Sequence, residues 1–120
     1  MDKNWNANVI NLTELIHISS GDKNRMLKYL QQFKELIPIR IENLRERLDA
    51  GDRKKIRQLL HQMSPQLQFF GIPNIVIPLR RLELEYDTMP MNDLNSLVGT
   101  IIIQLNLAIK EVDLILKEQF

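Results

Sequence analysis

The chain has 120 residues, and 16 Lys or Arg against 15 Asp or Glu give it a formal net charge of +1. This length fits one domain with a hydrophobic core, and 44% hydrophobic with 26% charged residues is typical of a globular protein. The near-zero charge argues against a dedicated nucleic-acid-binding protein, and the lack of cysteine excludes disulfides, thiolate metal sites and a cysteine nucleophile. Histidine chemistry is then limited to His17 and His61.

The sequence carries no targeting or membrane-spanning pattern. Residues Met1 to Asn6 are polar and lack the apolar segment of a signal peptide. The longest apolar runs, such as Ile101-Ile102-Ile103, are far shorter than the roughly 20 residues that a spanning helix needs. We therefore expect a cytoplasmic protein without direct membrane contact. The same sequence also fits a module cut from a larger protein.

The apolar pattern predicts helices from the start of the chain. A short helix is expected over about Thr13 to Ile18. A long helix follows, with Ser20 or Asp22 as its cap, because apolar residues then recur every three or four positions. Pro38 lies within this pattern and is expected to bend the helix rather than end it. The predicted apolar face consists of Leu27, Leu30, Phe33, Ile37, Ile41, Leu44 and Leu48.

Gly51 and Asp52 predict the boundary to the next helix. Gly51 suits a left-handed residue after a helix end, and Asp52 suits the following N-cap. The second long helix has its apolar face at Ile56, Leu59, Leu60, Met63, Leu67 and Phe70. Gly71 interrupts the pattern, and a third long helix is expected from about Pro73 to Tyr86. Its predicted face is Ile75, Val76, Leu79, Leu82 and Tyr86.

A loop over Asp87 to Met91 precedes the last predicted helix, for which Asn92 or Asp93 is the expected cap. That helix has its apolar face at Leu94, Leu97, Val98, Ile101, Leu105, Ala108, Val112 and Leu116. Four long amphipathic helices with short loops predict an all-α fold, because short loops make neighbouring helices antiparallel. We expect an up-down-up-down antiparallel four-helix bundle with a short extra N-terminal helix over one end.

Most enzyme motifs are absent from the sequence. It has no Gly-rich phosphate loop, no pair of histidines at metal-binding spacing and no nucleophile elbow, and its clustered carboxylates are limited to Glu83 and Glu85. An enzyme with its own cofactor is therefore not expected. Local basic clusters, Arg53-Lys54-Lys55 and Arg80-Arg81, are interpreted as solvated helix faces or a docking surface for an acidic protein.

His61 lies on the polar side of the second long helix. At about 100° per residue it falls about 140° from the core direction. The residues expected on the same side are Lys54, Arg57, Ser64 and Gln68. An unprotonated imidazole nitrogen is a nucleophile near neutral pH, and such neighbours can hold negative charge beside it. The alternative is an ordinary solvated helix face, and His17 is expected to be a packing or surface residue.

An ordered set of residues connects this pattern to a known family. A Gly51-Asp52 helix start precedes His61, with apolar Met63 two residues later and Gly71 ten residues later. Downstream, Leu79, Leu82 and Glu83 form a Leu-x-x-Leu-Glu pattern, and upstream the set includes Ser20-Gly21-Asp22, Leu27, Phe33 and Pro38. From about Leu12 to Glu85 the chain thus resembles the histidine phosphotransfer (HPt) domain of bacterial phosphorelays.

The resemblance implies that residues 1–120 form a single HPt domain. His61 would accept a phosphoryl group through Nε2 from the aspartyl phosphate of a receiver domain and pass it to another receiver. The implied domain has no kinase activity and no cofactor, because the receiver brings Mg²⁺. Its implied partners are response-regulator receiver domains and a hybrid sensor kinase, and it would be a monomer. Residues expected to dock the receiver or stabilise the phosphoryl group are Lys54, Arg57, Ser64, Pro65 and Gln68, with Met63 and Gly71 structural.

Two positions depart from the family pattern. Ser64 replaces the family's Lys and carries no charge, so Arg57 or Lys54 is a candidate for supplying it. Pro65 replaces a Gly and lacks an N–H, so the His61 carbonyl loses its helical partner and a bend is expected. Two alternatives remain open: a degenerate HPt-like domain that binds a receiver without phosphotransfer, or an unrelated helical-bundle adaptor for a protein partner.

Overall fold

The computed structural model describes residues 9–120, so the polar segment Met1 to Asn6 lies outside the described residues. Residues 9–120 form five α-helices and one 3-10 turn, without a β-strand. The elements are α1 (Thr13–Ile18), α2 (Lys23–Asp49), α3 (Arg53–Phe70), the 3-10 turn (Pro73–Ile75), α4 (Val76–Glu85) and α5 (Met91–Gln119). The all-α class is confirmed. No helix within these residues has the length and apolar character needed to cross a membrane.

The predicted boundaries of the first two long helices agree with the structure. The Asp22 side chain accepts a hydrogen bond from the Arg25 backbone N–H and caps α2. Gly51 has a φ of +66°, and the Asp52 side chain accepts from the Lys55 backbone N–H at the start of α3. Pro38 and Pro65 lie inside α2 and α3, and neither proline ends its helix.

The starts of α4 and α5 differ from the prediction. Residues Pro73–Ile75 form a 3-10 turn, so α4 begins at Val76 and not at Pro73 as predicted. Ile75 and Leu82 of the predicted apolar face are buried, whereas Val76 of that face is 53% exposed. The predicted cap at Asn92 or Asp93 is wrong: Pro90 is the N-cap residue, and its carbonyl accepts from the Asp93 and Leu94 backbone N–H groups.

One hydrophobic cluster contains residues from all five helices and from the 3-10 turn. Phe33 of α2 stacks on Phe70 of α3 with ring centroids 4.2 Å apart. On α2, Met26 is buried instead of the predicted Leu27, which is only partly buried. On α5, the predicted Leu97 and Leu116 are only partly buried, and Ile102 and Ile115 are buried beside the predicted Leu94, Val98, Ile101, Leu105, Ala108 and Val112.

The segment before α1 is fastened to the end of α3. The Asn11 backbone N–H donates to the carbonyls of Phe70 and Gly71, each at 3.0 Å. Gly71 has a φ of +52°, and a Cβ there would lie 2.6 Å from the Asn11 carbonyl oxygen. The Glu111 carboxylate of α5 accepts from the backbone N–H groups of Val9 and Ile10. These contacts hold α1 beside the last turns of α3.

Arg53, at the start of α3, ties that helix to the end of α4. Its guanidinium donates to the backbone carbonyls of Tyr86 and Met89, which follow α4. One turn later on α3, the Arg57 guanidinium lies over the Tyr86 ring, 5.5 Å from its centroid. The C-terminal end of α4 therefore lies against the N-terminal half of α3, beside the exposed face that carries His61.

Candidate functional site

His61 lies on the exposed face of α3, as its helical phase predicts. Its side chain is 69% exposed. The buried face of the same helix carries Ile56, Leu60 and Met63, which are fully buried. The imidazole is therefore accessible from outside the protein, and the helix that carries it is anchored by the core on its other side.

A carboxylate from α4 faces the imidazole. Glu83 Oε1 lies 3.5 Å from His61 Nδ1, and Glu83 Oε2 lies 3.3 Å from Arg57 Nε. Within residues 9–120, no polar partner contacts His61 Nε2. Because the partner of one ring nitrogen selects the tautomer, a proton on Nδ1 facing Glu83 leaves the Nε2 lone pair available for chemistry.

His61 lies at one side of a groove between α1, α3 and α4, with a volume of about 910 Å³. Its polar rim includes His61, Ser64 and Gln68 from α3 and Arg80 and Glu83 from α4. Its apolar wall includes Leu67, Ile72, Ile75, Val76, Leu79 and Leu84. A concave, mostly apolar surface with few polar groups is the usual form of a binding site.

The predicted site residues fall into separate places. Ser64 and Gln68 line the groove together with His61, and Gly71 lies at its end. Arg57 lies beside it but contacts Glu83 and Tyr86. Lys54 and Pro65 are exposed and do not line the groove, and Met63 is buried in the core below His61.

The polar side of α3 is less positive than the sequence predicts. Glu83 lies against both Arg57 and His61, so a negative charge offsets part of the expected cationic stripe. Sequence reasoning identified Glu83 through the family pattern but did not predict these contacts. It also missed Arg80 as a groove residue, because Arg80 and Arg81 were interpreted together as one basic cluster.

In the described part of the chain, no group of three or more His, Asp or Glu side chains is placed to hold a metal ion. In comparisons with known proteins, no protein-family model, no curated protein and no solved structure matches the chain. The chemistry of His61 and the groove beside it therefore carries the functional proposal.

Proposed function

We propose that the protein is an HPt domain of a phosphorelay, built as an up-down-up-down four-helix bundle with α1 over one end. The observation that carries the proposal is the state of His61. Its side chain is 69% exposed, its Nδ1 faces Glu83, and its Nε2 has no polar partner within residues 9–120. An imidazole in this state is a nucleophile that a second protein can reach.

The proposed reaction transfers a phosphoryl group from a receiver domain. The Nε2 lone pair of His61 attacks the phosphorus of an aspartyl phosphate, and the phosphorus–oxygen bond to the aspartate breaks. The aspartate carboxylate leaves with the electron pair. The proton on Nδ1 stays in place, so the positive charge of the phosphorylated ring lies beside Glu83. Mg²⁺ held by the receiver stabilises the charge on the phosphoryl oxygens. The reverse sequence passes the group to another receiver.

The groove supports a protein partner rather than a small cofactor. Its wall includes Val76 and Leu84, which are 53% and 78% exposed. Exposed apolar side chains around a polar centre are typical of a protein-binding surface. The partners in this proposal are response-regulator receiver domains and a hybrid sensor kinase in the cytoplasm. The domain acts as a monomer without kinase activity of its own and does not bind nucleic acid.

The test is phosphoryl transfer from a panel of receivers that carry radiolabelled aspartyl phosphate. We expect a receiver to label the wild-type protein with an acid-labile, alkali-stable phosphate, and we expect His61→Gln to abolish the label. The matched control is His17→Gln, because His17 is an exposed histidine on α1. Labelling of the His61→Gln variant at the wild-type level would contradict the proposal.

A second candidate is an HPt-like domain that binds a receiver without transferring phosphate. The contact between Glu83 and His61 favours it, because a carboxylate near the imidazole repels an incoming phosphoryl group. Ser64 adds no compensating charge. This candidate predicts receiver binding by calorimetry without phosphohistidine, and detection of phosphohistidine excludes it. An unrelated helical adaptor would bind no receiver at all.

A further inference from the structure

A phosphoryl group on His61 would change the charge of the groove, so this inference rests on the proposed function. Such a group carries between one and two negative charges near neutral pH. Two carboxylates line the groove, Glu14 of α1 and Glu83 of α4, and Glu83 Oε1 lies 3.5 Å from His61 Nδ1. A carboxylate can stabilise the positive ring but not the negative phosphoryl oxygens, so a phosphorylated His61 would be stabilised by a separate cation near those oxygens.

The cations expected from the sequence do not meet this need. Arg57 is held by Glu83 at 3.3 Å and by the Tyr86 ring at 5.5 Å. Lys54 does not line the groove, and Ser64 lines it without a charge. Among the described residues that line the groove, Arg80 is the one Lys or Arg. It comes from α4, the helix next to the one that carries His61.

The position of Arg80 on α4 allows its guanidinium to contact a phosphoryl group on His61. It lies three residues before Glu83 on α4, so the two side chains project from the same side of the helix. Arg80 is exposed and makes no ion pair within residues 9–120. Its neighbour Arg81 is instead paired with Glu85 at 3.6 Å and Asp93 at 3.9 Å, on another side of α4.

We propose that Arg80 binds the phosphoryl group on His61 and supplies the positive charge that the His61-bearing helix does not. A guanidinium suits this role because its planar donors match two phosphoryl oxygens at once. The groove is then a site for a phosphoryl anion held between two helices: α3 carries it covalently, and α4 neutralises it.

The test uses phosphoramidate, a small donor that needs no receiver. Nε2 of His61 attacks its phosphorus, the phosphorus–nitrogen bond breaks, and the already protonated nitrogen leaves as neutral ammonia with the electron pair of that bond. Phosphorus NMR then follows the second ionisation of the phosphohistidine in wild type, Arg80→Gln, Arg80→Lys and Arg81→Gln. Loss of a nearby cation disfavours the dianion, so Arg80→Gln should raise the titration midpoint by about half a pH unit. Arg80→Lys should retain most of the wild-type value, and Arg81→Gln should match it.

An unchanged midpoint in Arg80→Gln would overturn the inference, and so would failure of phosphoramidate to label His61 of the wild type. Equal shifts in Arg80→Gln and Arg81→Gln would also overturn it, because they would indicate a general field and not a contact. The receiver-labelling experiment tests the proposed function separately from the Arg80 contact. If no receiver labels His61 but Arg80→Gln still raises the midpoint, the proposed phosphorelay function is contradicted and the Arg80 contact is supported. If receivers label His61 and the phosphohistidine of Arg80→Gln has the wild-type midpoint, the proposed function is supported and the Arg80 contact is contradicted.

Discussion

His61 Nδ1 lies 3.5 Å from Glu83 Oε1, and this contact joins α3 to α4 at the rim of the groove. The other oxygen of the same carboxylate lies 3.3 Å from Arg57 Nε. One side chain from α4 therefore contacts both the imidazole and Arg57. In the proposed reaction the ring would lie between Glu83 and the phosphoryl group on Nε2, so the carboxylate would be nearer to the positive ring than to the phosphoryl anion.

Replacing Glu83 with Gln should slow phosphoryl transfer to His61 while the fold remains intact. The amide has no charge with which to stabilise the positive ring that forms when Nε2 is phosphorylated. Because the pair is partly exposed, we expect a loss of about fivefold, which corresponds to ~1 kcal/mol. The measurement is the initial rate of labelling from one phosphorylated receiver at saturating concentration.

Glu85→Gln is the matched control for this rate. Glu85 is on the same helix, but it pairs with Arg81 at 3.6 Å and does not line the groove. We expect its variant to accept phosphate at the wild-type rate. A Glu83→Gln variant as fast as wild type would show that the carboxylate does not assist the reaction.

Gly71→Ala should destabilise the protein by about 2 kcal/mol. Gly71 has a φ of +52°, which strains any residue with a side chain, and the new Cβ would lie 2.6 Å from the Asn11 carbonyl oxygen. Relief of that overlap would stretch the hydrogen bonds between Asn11 and the end of α3. Urea unfolding followed by circular dichroism measures the free energy of unfolding.

Gly99→Ala provides the comparison within the same protein. Gly99 lies inside α5, and a Cβ there would meet no atom within 4 Å apart from the adjacent backbone of its own helix. Alanine is the better helix former, so Gly99→Ala should raise the free energy of unfolding by about 0.5–1 kcal/mol. Equal destabilisation by both substitutions would contradict the role given to the contact between Gly71 and Asn11.

Local signals explain which helix boundaries could be predicted. Asp22, Gly51 and Asp52 act on the backbone within three or four residues, so a short stretch of sequence contains the whole interaction. At the start of α5, Pro90, Asn92 and Asp93 are all acceptable near a helix N-terminus. Contacts with other parts of the fold determine which of these residues becomes the N-cap. The local sequence carries no information about those contacts.

The same distinction applies to the site. The outward direction of His61 depends only on the phase of α3, so it could be predicted. The contact with Glu83 depends on how α4 is rotated about its own axis next to α3. That rotation leaves Val76 exposed and places Arg80, but not Arg81, in the groove lining. No periodicity within a single helix predicts such a relationship between two helices.

Asp113 on α5 should make the stability of the protein depend on acid pH. Lys34 of α2 donates a hydrogen bond to its carboxylate, and Lys117 does so as well, which lowers the pKa of Asp113 below its usual value of 3.8. The unfolded chain then binds the proton more readily than the folded chain. The resulting stabilisation is present above pH 3.8 and is lost as the pH falls through the lowered pKa.

The measurement is the free energy of unfolding of wild type and Asp113→Asn across this pH range. We expect the difference between them to be largest near neutral pH and to close in acid, once Asp113 of the wild type is protonated. Asp87→Asn is the control, because Asp87 is exposed and forms no ion pair within residues 9–120. Added salt should narrow the difference at neutral pH, since both lysines are partly exposed. A difference that stays constant from neutral to strongly acid pH would show that Lys34 and Lys117 do not stabilise the fold through the Asp113 charge.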